Sequence, residues 1–205
     1  MKTKDRIKAV ACELFNQHGL SEVTLRDVAQ AMNRAYGNIT YHFPNKEAVV
    51  IALYRDMAEG LWTISSQFQA KQDLLEVILR APGDTFSLSM RYLFLYKDFL
   101  EIVRHFPEVS EAARQSNTMR KGKLKLVMQQ LQSLGDLRAE LSDAELDYLM
   151  ELSGAMRTFF FVQLTPEEFH DPDLAAKYVA YVNRLLFPYL TQQGQERYLA
   201  ILGKW

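Results

Sequence analysis

Cysteine occurs once, at Cys12, so neither an internal disulfide framework nor a cysteine-rich zinc site holds this chain together. No stretch approaches the roughly 18 uninterrupted apolar residues that a membrane span requires. The opening MKTKDRIKAVACELF interrupts its apolar residues with charge and lacks the compact apolar core of a secretion signal, so a cytoplasmic location is expected. His18, His42, His105 and His170 are scattered singly, which suggests no metal pair. No Ser/His/Asp set and no glycine-rich phosphate loop is found, so no catalytic, metal or cofactor site is expected. No segment alternates with the period of two that marks a strand. Nor is there an excess of one charge sign: 24 Lys and Arg face 25 Asp and Glu, for a net charge of −1. That balance does not advertise nucleic-acid binding. Its distribution is more telling, because residues 1–50 hold seven basic against five acidic side chains and the remainder 17 against 20. A mildly basic head on an acidic body is compatible with a local phosphate-binding face.

What the chain does have is apolar content, 48%, arranged with helical spacing along its 205 residues. An all-α protein of about nine or ten helices follows. The first helix spans about Lys4 to His18, with Ile7, Val10, Ala11, Leu14 and Phe15 on one stripe and Gly19 as its stop. Thr24 and Asp27 have the spacing of a capping box, opening a second helix to about Met32. Asn33 suits a left-handed turn residue. A third helix covers about Ala35 to Phe43, ended by Pro44, and Asn45 caps a fourth that reaches about Phe68. Further along, APGD at 81–84 predicts a break before a helix from Thr85 to Phe106. Pro107 opens a helix to Leu134, closed by Gly135, and Ser142 with Glu145 opens another to Leu164. Thr165, Pro166 and Glu168 signal a helix start, as does Asp171-Pro172 for a helix to Phe187. Pro188 forces a break before a terminal helix, Gln195 to Leu202.

Residues 24–46, TLRDVAQAMNRAYGNITYHFPNK, carry most of the functional information. They read as two short helices joined by a tight turn. On the second, Ala35, Ile39 and Phe43 fall in one arc at about 100° per residue. The opposite arc holds Gly37, Asn38, Thr40 and Tyr41, with Tyr36 and His42 beside it. Small hydrogen-bonding groups around a bare glycine suit the floor of a DNA major groove, where aromatic hydroxyls and imidazoles reach phosphates.

With Ile7, Ala11, Leu14, Phe15, Gly19, Thr24, Val28-Ala29, Gly37, Ile39, His42-Phe43 and Asn45-Lys46-Glu47 in this order and spacing, residues 3–55 resemble the TetR family of bacterial transcriptional regulators. The resemblance implies an all-helical homodimer with a helix-turn-helix DNA-binding domain over 1–46 and an effector-binding and dimerisation domain over 47–205. By family position, Arg26 touches a base edge or phosphate, Tyr36, Asn38, Thr40, Tyr41 and His42 line the DNA face, and Lys46 neutralises a phosphate. Thr24 and Gly37 complete that face. Four positions depart from the usual pattern. Asn33 stands for glycine and Arg34 for valine, pointing outward where it adds a phosphate contact. Ala35 stands for serine, losing a helix cap at about 1 kcal/mol. Thr40 stands for tyrosine, whose contact neighbouring Tyr41 supplies.

Beyond residue 80, aromatic and sulfur side chains are numerous enough to wall a pocket for an apolar or aromatic molecule. The candidates are Phe86, Met90, Phe94, Met128, Met156 and Phe160, with His105 and Asn117 (and Arg91 or Arg157) as polar groups to orient a ligand. In the resembled family, dimers form through the last two long helices, here Ser142–Leu164 and Asp173–Phe187. The run Tyr178, Tyr181, Val182, Leu185, Leu186 is apolar over more than one face, as expected of a helix that a partner covers. The partners expected are therefore an operator DNA duplex, a small apolar effector and a second copy, without a membrane. The rival is a helical adaptor or carrier that uses the N-terminal motif for protein contacts.

Overall fold

The computed structural model describes residues 2–66 and 73–203. Among them lie eleven α-helices and two 3-10 turns, with no strand beyond an isolated Leu137–Leu190 bridge. None of these helices is long and apolar enough to cross a membrane. The chain divides into two compact units, Met1–Trp62 with Leu88–Ser116, and Thr63–Ser87 with Asn117–Trp205. This division differs from one at residue 46, because distant segments complete the core of the head.

In the first unit, α1 (Thr3–His18) turns Ile7, Ala11, Cys12 and Phe15 inward, as the 3.6-residue period dictates. Gly19 ends it with φ 83°, a conformation that costs any other residue strain. α2 (Leu25–Ala31) and α3 (Tyr36–His42) follow, then α4 (Lys46–Ser66), whose first turn is capped by Asn45 Oδ1 accepting from the Ala48 amide at 2.8 Å. The Phe68 end expected for α4 lies outside the described residues.

The break expected at 81–84 and the single helix Thr85–Phe106 are both corrected. α5 (Leu74–Arg91) runs straight through Pro82. Proline removes one helical bond there, but buried Leu75, Leu79 and Pro82 hold the helix against its unit. The buried Asn183 amide also donates to the Leu79 carbonyl at 2.8 Å, just before the proline. After Arg91 the chain breaks into α6 (Phe94–Lys97) and α7 (Phe99–His105). The cause is α1. Asn16 donates to the Arg91 carbonyl and accepts from the Phe94 amide, both at 2.9 Å, so one side chain ends α5 and starts the next turn. Phe94 then packs on Phe15, ring centroids 5.2 Å apart.

Cys12 belongs to the same seam, its thiol donating to the Arg91 carbonyl at 3.3 Å. Burial pushes that thiol up to about 11, against the lowering field of Arg91. At pH 8 the thiolate fraction is then about a hundredfold below that of a free cysteine. Alkylation by iodoacetamide is expected to be slower by at least that factor in the native protein and to reach the ordinary rate in urea. Rapid native alkylation would contradict the burial.

α8 (Pro107–Ser133) begins in the first unit and, from Asn117, belongs to the second, where Gly135, φ 79°, closes it. α9 (Asp143–Gln163) opens on the Ser142–Glu145 capping box, and α10 (Leu174–Arg184) and α11 (Gln192–Leu202) follow. The Thr165 amide bonds Glu168 at 2.8 Å as expected, yet only a 3-10 turn, Glu167–His170, forms, because Pro172 blocks continuation. A second turn, Phe187–Tyr189, contains Pro188. One apolar cluster joins Leu75, Leu79, Met128, Leu131, Leu149 and Ile201. Beside it Phe86, Phe160, Phe161 and Tyr178 stack with ring centroids 5.0–5.8 Å apart.

Candidate nucleic-acid interface

The α2–α3 pair is set by local bonds. Thr24 and Asp27 form the reciprocal box: the Asp27 carboxylate accepts from the Thr24 amide at 2.7 Å and hydroxyl at 2.6 Å. Those bonds hold the Asp27 carboxyl below the usual range. The chain then reverses at Asn33, φ 52°, with the Arg34 amide on the Ala29 carbonyl at 2.9 Å. Ala35 starts α3 without a side-chain cap. Buried Val28, Ala29, Ile39 and Phe43 fix α3 against the head, and this determines its outward face. Tyr36 (47% exposed), Gly37, Asn38 and Tyr41 (85% exposed) all point to solvent. A Cβ added at Gly37 would meet no atom within 4 Å. Internal packing therefore gives no reason for glycine there.

The remaining positions are less uniform. Arg26, Thr24 and Arg34 are exposed. Thr40 is half-buried, its hydroxyl turned back to the Tyr36 and Gly37 carbonyls at 3.4 and 3.3 Å. His42 is half-buried and edge-on to Tyr41, centroids 5.1 Å apart. Lys46 has an internal role: its ammonium donates to the Leu20 carbonyl at 2.7 Å. The Leu20 amide donates to Asp98 at 2.9 Å, so the turn after α1 is gripped from both sides. Burial raises the Asp98 carboxyl, against the Leu20 amide bond. One basic residue the motif reading passed over is Lys4. Its ammonium sits 5.1 Å from the Phe43 ring centroid, on an open groove of about 620 Å³ that also involves Lys8, His42, Asn45 and Arg55. The surplus of basic residues near the N-terminus was its only signal in the sequence.

Comparison with known proteins decides the family. The sequence model for bacterial regulatory proteins of the tetR family matches residues 7–53, and the bacterial transcriptional repressor model named TetR matches residues 53–198. The chain belongs to the TetR family of bacterial transcriptional regulators. IcaR, the negative transcriptional regulator of the biofilm operon icaADBC from Staphylococcus epidermidis, is 25% identical over 119 residues, 56% of this chain and 57% of that protein. A probable acrEF/envCD operon repressor from Escherichia coli is 44% identical over 46 residues, 22% of this chain and 21% of that protein. The chain thus aligns with little more than half of the first relative and a fifth of the second. A solved TetR-family transcriptional regulator from Marinobacter aquaeolei shares the fold, with a TM-score of 0.87 at 22% identity over 100% of this chain and 98% of that one.

In this TetR-family chain the eight effector-pocket candidates do not form one lining within either unit. Met90, Phe94 and His105 belong to the first unit, and Phe86, Asn117, Met128, Met156 and Phe160 to the second. His105 is exposed and lies 3.1 Å from Glu101, and Asn117 is exposed and accepts from Arg120. Phe94 and Met128 fill apolar cores. Helix phase turns the first two outward, and packing places the other two in apolar cores. Phe86 and Phe160 remain together, both within the aromatic stack, and Met156 is half-buried on α9. Of the run expected at the dimer interface, Tyr178, Val182 and Leu186 are buried within the subunit, Leu185 packs on its core, and Tyr181 is exposed. Among the exposed side chains of α9 and α10 are Tyr148, Ala155, Phe159 and Tyr181.

Proposed function

We propose that this regulator is a ligand-responsive cytoplasmic repressor that occupies a near-palindromic operator as a homodimer. The observation that carries this reading is the outward face of α3. Tyr36, Gly37, Asn38 and Tyr41 stand in solvent while Ile39 and Phe43 anchor the helix from behind. In that role Asn38 and Arg26 address base edges, and Tyr41, His42, Arg34, Lys46 and Thr24 address the backbone. Thr40 adds its methyl to the groove-facing surface.

Dimerisation sets the spacing of the two copies of α3, about 34–36 Å for successive major grooves. The support is the stripe Tyr148, Ala155, Phe159 on α9, spaced seven and four residues apart, with Tyr181 on α10. Phe159 is 60% exposed in the single chain and Tyr148 as much, and apolar side chains repeated along one helix face are what a partner would cover. A small apolar or aromatic effector lodges near Phe86, Met156 and Phe160 and favours a conformation with a different spacing of α3. It shifts the equilibrium only by its difference in affinity between the two conformations. α4 contributes residues to both units and is the element able to relay the change.

Titration with duplex DNA at 50 and 200 mM salt tests the central claim. If six to ten phosphates are neutralised, affinity is expected to fall by roughly 10³–10⁵ between the two, from counterion release. Salt-independent binding, or none to any duplex, would favour the adaptor reading. Phe159→Glu is expected to yield a monomer by sedimentation and to lose operator affinity with it; a dimeric variant would remove the α9 stripe from the interface.

A further inference from the structure

Arg26 is the second residue of α2 and Tyr36 the first of α3, and the turn at Asn33 brings them face to face. The guanidinium carbon lies 5.6 Å from the Tyr36 ring centroid. That is within the roughly 6 Å over which a cation is held by an aromatic face. Two carboxylates close to it in sequence are otherwise engaged. Asp27 takes the Thr24 amide and hydroxyl, and Glu22 takes the Ser21 hydroxyl at 3.5 Å. Among the described residues no hydrogen bond or ion pair holds Arg26. The ring thus holds it without a hydrogen bond, and a contact through the ring face spends none of the guanidinium's five donors.

We propose that Tyr36 is a positioning residue for Arg26. Its ring confines a long exposed side chain to the rotamers in which the N–H fork faces outward from the α2–α3 pair, ready for the two acceptors of a guanine edge. Tyr36 then acts through its ring face and through another residue, rather than by its own hydroxyl on a phosphate. The inference rests on the reading that Arg26 meets a base.

The test uses the full chain and a duplex enriched by the wild-type protein from a random-sequence pool, with affinity and base preference measured at fixed salt. Tyr36→Phe keeps the ring and is expected to bind within twofold of wild type. Tyr36→Leu is expected to weaken binding about two- to fivefold, the worth of an exposed cation–ring contact. It also relaxes base preference at the same position as Arg26→Ala. In an Arg26→Ala background, Tyr36→Leu changes nothing further. Equal losses for Tyr36→Phe and Tyr36→Leu would assign the role to the hydroxyl and overturn the proposal. So would a Tyr36→Leu loss of the same size whether residue 26 is Arg or Ala. If instead Arg26→Ala leaves affinity and base preference intact, the base-reading role of Arg26 fails, a separate result. Both side chains are exposed, so thermal unfolding of every variant is expected to match wild type.

Discussion

Gly37→Leu is expected to abolish specific operator binding while leaving the fold intact or slightly firmer. Residue 37 is the second position of α3 and a Cβ there touches nothing in the protein within 4 Å. Glycine inside a helix costs roughly 0.5–1 kcal/mol relative to a good helix former, so the substitution gains local stability. Its isobutyl group, however, projects from the centre of the outward face, between Tyr36, Asn38 and Tyr41. It would hold the helix off the base edges by more than a hydrogen bond can span. Affinity then drops toward the level for random DNA, roughly 10³-fold or more. Circular dichroism and thermal unfolding report the fold, and anisotropy with the selected duplex reports binding. A Gly37→Leu protein that still binds specifically would show that α3 does not enter the groove with this face.

The second large effect is on stability. At Gly194→Ala the new Cβ would collide with the Asp136 carbonyl oxygen and sit 2.9 Å from its carbon. Those atoms are backbone and cannot swing aside. They are also anchored: the Thr191 amide donates to the Asp136 carbonyl at 2.9 Å, and the Thr191 hydroxyl to the Gly135 carbonyl at 2.6 Å. Moving α11 to make room would pull Arg197 from the fully buried Asp136, to which it is hydrogen-bonded, and from Asp73 at 2.6 Å. Orphaning a buried carboxylate costs about 3–5 kcal/mol. Urea unfolding is expected to show a loss of at least about 3 kcal/mol, or no folded protein. Gly122→Ala serves as the control, because Gly122 is exposed within α8 and its Cβ would meet nothing. It is expected to gain up to about 1 kcal/mol. Equal stability of the two variants would show that α11 is not seated where it is described.

The helix-turn-helix was legible because its signals are local. Thr24 and Asp27 are three residues apart, Asn33 bears its own left-handed turn, and the 3.6-residue period of Ile39 and Phe43 fixes which face of α3 looks outward. Each of these is decided within one or two turns of chain, so composition and spacing suffice. The same held for the Ser142–Glu145 box and for the stops at Gly19 and Gly135. What the sequence left open was decided across long separations. Whether Thr85–Phe106 is one helix depended on Asn16, 75 residues before the carbonyl it binds. The survival of α5 through Pro82 depended on core packing and on Asn183, 104 residues from Leu79. The terminal helix was expected from Gln195, but it starts at Gln192, and the carbonyl of Asp136 makes glycine obligatory at 194 inside it. Aromatic richness after residue 80 showed that apolar surface must be covered, but periodicity alone does not say whether a neighbouring helix, a ligand or a second copy covers it. Phase within each helix and tertiary packing settled that for Phe94, Met128 and Tyr178, which went to the core, and left Phe159 and Tyr181 in the open.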